Sequence, residues 1–324
     1  MKNIKTYWII GILIMVSSCE TIVGIDLPEG NSVLTMNALI NDNDNIAVSL
    51  HVSKGIFEAG ELQAVENGTV ALIGSDGTNI SVDTPEFDGE NFYLRVYTFP
   101  LVPKPDVIYT LRATAPGFEE VEAITFIPDE TEIISVDTSS VFTKGYREGQ
   151  INITFQDNSA TEDSYEFKFY ALVYAIDTTD GQFTYVPVVQ EIYAYFSSPT
   201  DFFGGGDNEL LLKDELFNGR EYTQRINYDY QIPFLLGDTM PNDSIDLSKL
   251  VSTYLITELR TLSEDYYLFQ STYTTYQFSS GDPFAQPVQV YNNVENGFGI
   301  FAGFSSTLDT LRISKGLLPS PLDP

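Results

Sequence analysis

Residues 32–54 read SVLTMNALINDNDNIAVSLHVSK. Two runs, 32–40 and 46–54, alternate bulky apolar residues with small or polar ones, the period of a strand with one buried face. Between them stands Asn41-Asp42-Asn43-Asp44-Asn45, whose side chains favour turns over regular structure. The stretch therefore predicts an antiparallel hairpin. The same pattern continues through GTVALIG (68–74), the turn SDGTN (75–79), NFYLRVYT (91–98) and VIYTLRATA (107–115). After Pro116-Gly117 comes FEEVEAITF (118–126). Roughly six or seven short strands in about 100 residues, with turn signals between them, point to an immunoglobulin-like β-sandwich over 32–128.

The rest of the chain, 129–324, reads as a larger β-rich domain. Long strands are expected at QINITFQD (150–157), SYEFKFYALVYAI (164–176), FTYVPVVQEIYAYF (183–196), EYTQRINYDYQIPF (221–234) and STYLITELRTL (252–262). One helix is expected over about 263–279. Ser263 can cap it, and Glu264 and Asp265 suit the positive end of its dipole. Tyr266, Phe269, Tyr273 and Tyr276 recur on one helical face, a stripe read as core. NGFGIFAGFSS (296–306) reads as a glycine-interrupted buried strand lying close to another backbone, and TLDTLRI (307–313) closes the sheet. The fold class is thus mainly β, with 20 Tyr and 22 Phe supplying the aromatic richness that strands favour.

The N-terminus carries an address. Lys2 and Lys5 precede YWIIGILIMV (7–16), about ten apolar residues, which suits a signal peptide and falls short of the roughly 20 a membrane span needs. Val16-Ser17-Ser18-Cys19 resembles the lipobox of bacterial lipoproteins. That resemblance implies cleavage after residue 18, a lipid on the Cys19 thiol and a tether over 19–31. An ordinary secretory signal with a cysteine near the cut is the alternative. Cys19 is the only cysteine, and an exported chain using cysteine structurally would carry an even set.

Charge and composition exclude several functions. The formal net charge is −30, and loss of the signal removes two lysines and no acid. Such a body lacks the positive footprint that nucleic acid requires and repels anionic lipid head groups. Solubility explains the charge, and attraction of a cation or a ligand is the second reading. With one histidine, His51, and no available thiol, a Cys/His zinc site is excluded. A Ser-His-Asp triad would have to pass through His51, and no G-x-S-x-G turn accompanies it. The alternation of 46–54 puts His51 on the face of Ala47 and Ser49, as an exposed strand residue. GGGD (204–207) lacks the Lys-Ser/Thr of a phosphate loop. Calcium could draw oxygens from NDNDN (41–45) or DFFGGGDNE (201–209), although turn chemistry explains both. The 46 acids offer many pairs for glycoside cleavage and single out none.

Four further stretches stand out: CETIVGIDLPEG (19–30), LLKDELFNGREYT (211–223), ELRTLSEDYYLF (258–269) and DPFAQPVQVYNNVENGFGIFAG (282–303). Together they resemble a lipoprotein family of Bacteroidota, domain of unknown function 4249. The most specific pattern is Asn-x-x-x-Asn-Gly-x-Gly-x-Phe, ending at Phe301. The resemblance implies a lipid-anchored outer-membrane protein beside a TonB-dependent receptor, with no activity or catalytic residue to transfer. Only Glu20 stands where an acid-rich surface-export signal would follow the cysteine, so the membrane face is left open. Asp177-Thr178-Thr179, Asp238-Thr239-Met240, Asp243-Ser244-Ile245 and Asp309-Thr310-Leu311 resemble the O-glycosylation sequon of the same bacteria.

The expected function is a non-catalytic binding or accessory subunit of a TonB-dependent transporter. A free-standing structural or adhesive lipoprotein is the alternative, and a hydrolase a third reading. Candidate partner or ligand contacts are Phe202 and Phe203 in DFFGGGD, and Asp282 and Phe284 in YQFSSGDPFAQP, where aromatics beside glycine could anchor a partner or plug the core.

Overall fold

A computed structural model describes residues 31–55, 60, 62–87, 95–143, 146–177, 184–192, 194–196, 210–229, 252–279, 285–286 and 288–312. The front of the chain forms β1 (Leu34–Ile40), β2 (Ile46–Val52), β3 (Gln63–Ala64), β4 (Thr69–Gly74), β5 (Asn79–Val82), β6 (Glu86–Phe87), β7 (Arg95–Phe99), β8 (Ile108–Thr114) and β9 (Val121–Phe126). The rear forms β10 (Ile133–Thr143), β11 (Tyr146–Gln156), β12 (Ser164–Asp177), β13 (Thr184–Glu191), β14 (Ala194–Phe196), β15 (Leu210–Lys213), β16 (Glu221–Asp229) and β17 (Ser252–Leu262). Helix α1 (Glu264–Ser279) and β18 (Phe298–Arg312) follow.

The opening hairpin forms as its alternation requires. Along β1, Leu34, Met36, Ala38 and Ile40 are buried, and on β2 so are Ile46, Val48 and Leu50. Asn41 closes the turn, its side-chain carbonyl accepting from the amides of Asn43 (2.8 Å) and Asp44 (2.9 Å). The NDNDN oxygens are thus engaged in turn chemistry. In the second hairpin Gly77 adopts φ +93°, which only glycine takes without strain, and Thr78 donates its amide to Asp76.

Two sandwiches result. In front, β1, β2 and β7 face a second sheet ordered β5-β4-β8-β9 across one core that includes Met36, Val48, Leu72, Phe99, Leu111 and Phe301. This arrangement is consistent with the expected immunoglobulin-like layering. Behind, β13, β12 and β17 face β10-β11-β16-β14 across a core rich in aromatics, among them Phe155, Tyr165, Phe167 and Phe169. The expected strand 183–196 divides: β13 pairs with β12, whereas β14 pairs with β16 in the facing sheet.

Strand β18 belongs to both sandwiches. Its first part runs parallel to β1, from Thr35↔Phe298 to Ile40↔Gly303. Its second part runs antiparallel to β17, from Leu262↔Phe304 to Tyr254↔Arg312. The two stretches expected over 296–313 are therefore one strand, and it joins the halves into a single ten-stranded sheet. Phe301 enters the front core, while Ile300, Ala302 and Phe304 turn to the other face and pack under α1.

The motif ending at Phe301 places this strand. Asn292 closes a local turn by donating to the Val294 carbonyl. Asn296, at φ +58°, donates to the Glu120 carbonyl. Gly299 takes φ +123° with its α-carbon against the Met36 carbonyl, and a side chain there would overlap it. The Asn293 side chain completes the ladder at Phe301, accepting from its amide (2.9 Å) and donating to its carbonyl (2.8 Å).

At the crossing, the Gly303 backbone presses on the Phe126 carbonyl, where a Cβ would overlap. The buried Ser263 hydroxyl accepts from two amides, that of Tyr266 (3.3 Å), which caps α1, and that of Gly303 (3.2 Å). The first two turns of α1 bury Tyr266 and Tyr267, but Tyr273 and Tyr276 are exposed. The expected aromatic stripe is therefore core only where the helix overlies β18.

Gly303→Ala is expected to lower stability by about 1–3 kcal/mol, because backbone faces the added methyl. Ser263→Ala should cost about 2 kcal/mol by leaving two buried amides without their shared acceptor. Urea unfolding measures both. Midpoints unchanged from wild type would refute the geometry of the crossing.

Candidate functional site

Four segments meet beside the crossing of the sandwiches. They are the loop after β11 (157–163), the turn after β15 (214–219), the start of α1, and the connector from Phe126 to Asp129 that leaves the front sandwich. Each is held by side chains of its own sequence. The turn begins as one 3-10 turn, Asp214–Leu216, and ends at Gly219 with φ +74°. Phe217 pins it to the rear core by stacking on Tyr222 (4.0 Å between ring centres) and meeting Phe155 edge-on. The stretch 211–223, one of those carrying the family resemblance, is thus the builder of this turn.

Three carboxylates tie the loop to the turn. Buried Asp157 accepts from the Gly219 amide and from the Tyr165 hydroxyl, both at 2.5 Å. Buried Asp214 accepts from the Asp163 amide (2.8 Å) and the Asn218 side chain (3.2 Å), and its own amide donates to the Asp163 carbonyl. Half-buried Asp163 accepts from the Thr161 hydroxyl (2.9 Å). Every donor here is neutral, so the negative charges are oriented but not cancelled. Burial pushes the Asp163 and Asp214 carboxyls above their usual range, and the neighbouring Asp157 charge adds to the effect in both. Burial likewise raises the Tyr165 phenol, with Asp157 adding to the effect.

One oxygen from each of the three lies within 4.8 Å of the others. They could hold a divalent cation, but calcium takes six to eight oxygens, of which three carboxylate oxygens supply at most half. Stapling of loop to turn accounts for the same side chains. No sequence signal marks this trio, because its members are scattered from residue 157 to residue 214 and only the pairing of β12 with β15 brings them together.

Outside the staple the loop, the start of α1 and the connector line a solvent-open cleft of about 640 Å³. A smaller recess of about 400 Å³ adjoins it and shares Glu162, Asp163, Leu262 and Glu264. The larger cleft is lined by the exposed acids Asp106, Asp129, Glu162 and Glu264, by the half-buried Asp163 and Asp265, and by the apolar side chains of Phe126, Ile127, Pro128, Leu268 and Tyr291. Tyr291 is fixed by a 2.6 Å bond from its hydroxyl to Asp265 and by its amide donating to Thr272.

The residues singled out from the sequence are elsewhere. Cys19, Phe202, Phe203, Asp282 and Phe284 lie outside the described residues, as does the acidic loop 201–209. His51 sits on the outer face of β2, opposite Ala64 of β3, and is half-buried rather than fully exposed. Burial lowers its pKa, whereas a carboxylate partner in a catalytic dyad would raise it.

The acid staple sets a pH dependence. A carboxyl whose folded pKa is raised contributes most below its unfolded value of about 3.9, and that contribution is lost as pH rises through the folded value. Asp163 and Asp214 therefore oppose folding at neutral pH. Asp163→Asn keeps an acceptor for Thr161 and removes one charge. It is expected to raise Tm at pH 7 by about 2–4 °C and to leave Tm at pH 3 unchanged. An equal shift at both pH values would contradict the electrostatic origin.

No curated protein matches this sequence. A family profile does, described as Domain of unknown function (DUF4249), over residues 20–309. That match takes in both sandwiches, the helix and nearly all of the strand they share, and the chain belongs to the DUF4249 family.

Proposed function

We propose that this protein is a lipid-anchored, non-catalytic binding subunit of the bacterial outer membrane, serving a TonB-dependent transporter in nutrient uptake. The observation that carries the reading is the junction cleft, an open recess walled by two sandwiches that a common strand holds in fixed relation. Ligand clefts favour such domain interfaces. The apolar segment before Cys19 and the acidic body support export and tethering, since lipid chains on the N-terminus hold a charged body at a bilayer. Two of the cleft's carboxylates, Asp163 and Asp265, accept from the neutral hydroxyls of Thr161 and Tyr291.

Two measurements test this. On detergent phase partition the native protein should enter the detergent phase, and Cys19→Ser should move it to the aqueous phase. Mild extraction through a tag on the body should bring a TonB-dependent transporter with it. Extraction of the anchored protein alone would favour the free-standing lipoprotein, and an aqueous wild-type protein would remove the anchor.

A further inference from the structure

The apolar lining of the junction cleft continues out of it. Phe126 lines the cleft and is 49% exposed, and in the ladder of β8 and β9 it stands opposite Ile108, which is 55% exposed. Ile124, two residues earlier on the same face of β9, is 53% exposed. Three large apolar side chains thus form a strip on the outer face of the front sandwich that leads into the cleft. Single exposed apolar residues are ordinary, but a contiguous patch rimmed by polar groups marks an interaction surface.

The rim selects the occupant. The carboxylates of Asp106, Asp129, Glu162 and Glu264 are at exposed positions around the cleft. Among the described residues that line it there is no lysine or arginine. A neutral apolar ligand would satisfy the apolar lining and leave the rim unmatched. A small polyamine would satisfy the rim and leave Phe126, Ile108 and Ile124 in water. A polypeptide segment with basic side chains flanking a bulky apolar one matches both, with the apolar group as the central anchor and the charges at the edge. A cleft of about 640 Å³ lies within the size range of ligand pockets.

We propose that the junction cleft and its apolar strip dock a basic, aromatic-bearing segment of a partner protein. This rests on the reading of the chain as a binding subunit and names the chemistry of what it binds. The test is fluorescence anisotropy of a labelled short peptide alternating lysine with phenylalanine, titrated with the detergent-solubilised mature protein. Saturable binding is expected, weakened about tenfold or more by Phe126→Ser and, separately, by Asp129→Asn combined with Glu162→Gln. These side chains are exposed, and thermal melts verify that both variants fold. Absence of saturable binding overturns the proposal. So does equal binding of an all-lysine peptide of the same charge, or of spermine, which would mean adhesion to an acidic surface. Loss in only one of the two variants also overturns it, because anchor and rim are both required. None of these results alters the detergent partition or the co-extraction of a transporter, so the two readings fail separately.

Discussion

The backbone contact between Gly303 and Phe126 is the constraint on which the architecture turns. A strand can complete two sandwiches only if it passes through the place where the connector leaves the first of them. Any side chain at residue 303 would occupy that place. Without one, Phe298–Gly303 hydrogen-bonds along β1 and Phe304–Arg312 continues along β17. The connector is then fastened where it crosses. Ser305 donates to the Asp129 carbonyl (3.2 Å), and the Thr307 hydroxyl lies 2.7 Å from the Thr131 carbonyl. Thr131 in turn meets the hydroxyl of Thr261 on β17 (2.9 Å).

The helix and the cleft follow from the same contact. Ser263 ends β17, caps α1 and binds Gly303 with one hydroxyl. Helix α1 must then start over β18, and its acidic first turn, Glu264 and Asp265, is brought to the cleft. On the same side of β17, Arg260 bridges Glu258 (2.7 Å) and buried Glu166 (3.1 Å) and lies over the Phe304 ring. These charges are paired, as burial requires. The acids of the staple, by contrast, accept only from neutral donors, the Gly219 and Asp163 amides, the Tyr165 and Thr161 hydroxyls and the Asn218 amide group.

Much of the fold is legible in the sequence because its signals are local. The alternation in 32–40 and 46–54 predicts both the hairpin and its buried face, and Ser263 with Glu264 and Asp265 marks the start of the helix. The buried, glycine-interrupted strand near residue 300 is legible too, since glycine in an apolar run implies a close backbone neighbour. What is not legible is non-local. Nothing in residues 298–312 shows that one strand serves two sandwiches, and nothing in 183–196 shows that its first part pairs with β12 and its last with β16. The exposure of Tyr273 and Tyr276 depends on where β18 ends beneath the helix, which periodicity cannot supply. The acid trio is hidden for the same reason, as Asp157, Asp163 and Asp214 become neighbours only through strand pairing.

The shared strand makes the two sandwiches one cooperative body, and differential scanning calorimetry of the protein reads that cooperativity. A single transition is expected, with a calorimetric enthalpy equal to its van't Hoff enthalpy. Two separable transitions, one moved by Leu72→Ala in the front core and the other by Leu259→Ala in the rear core, would contradict it.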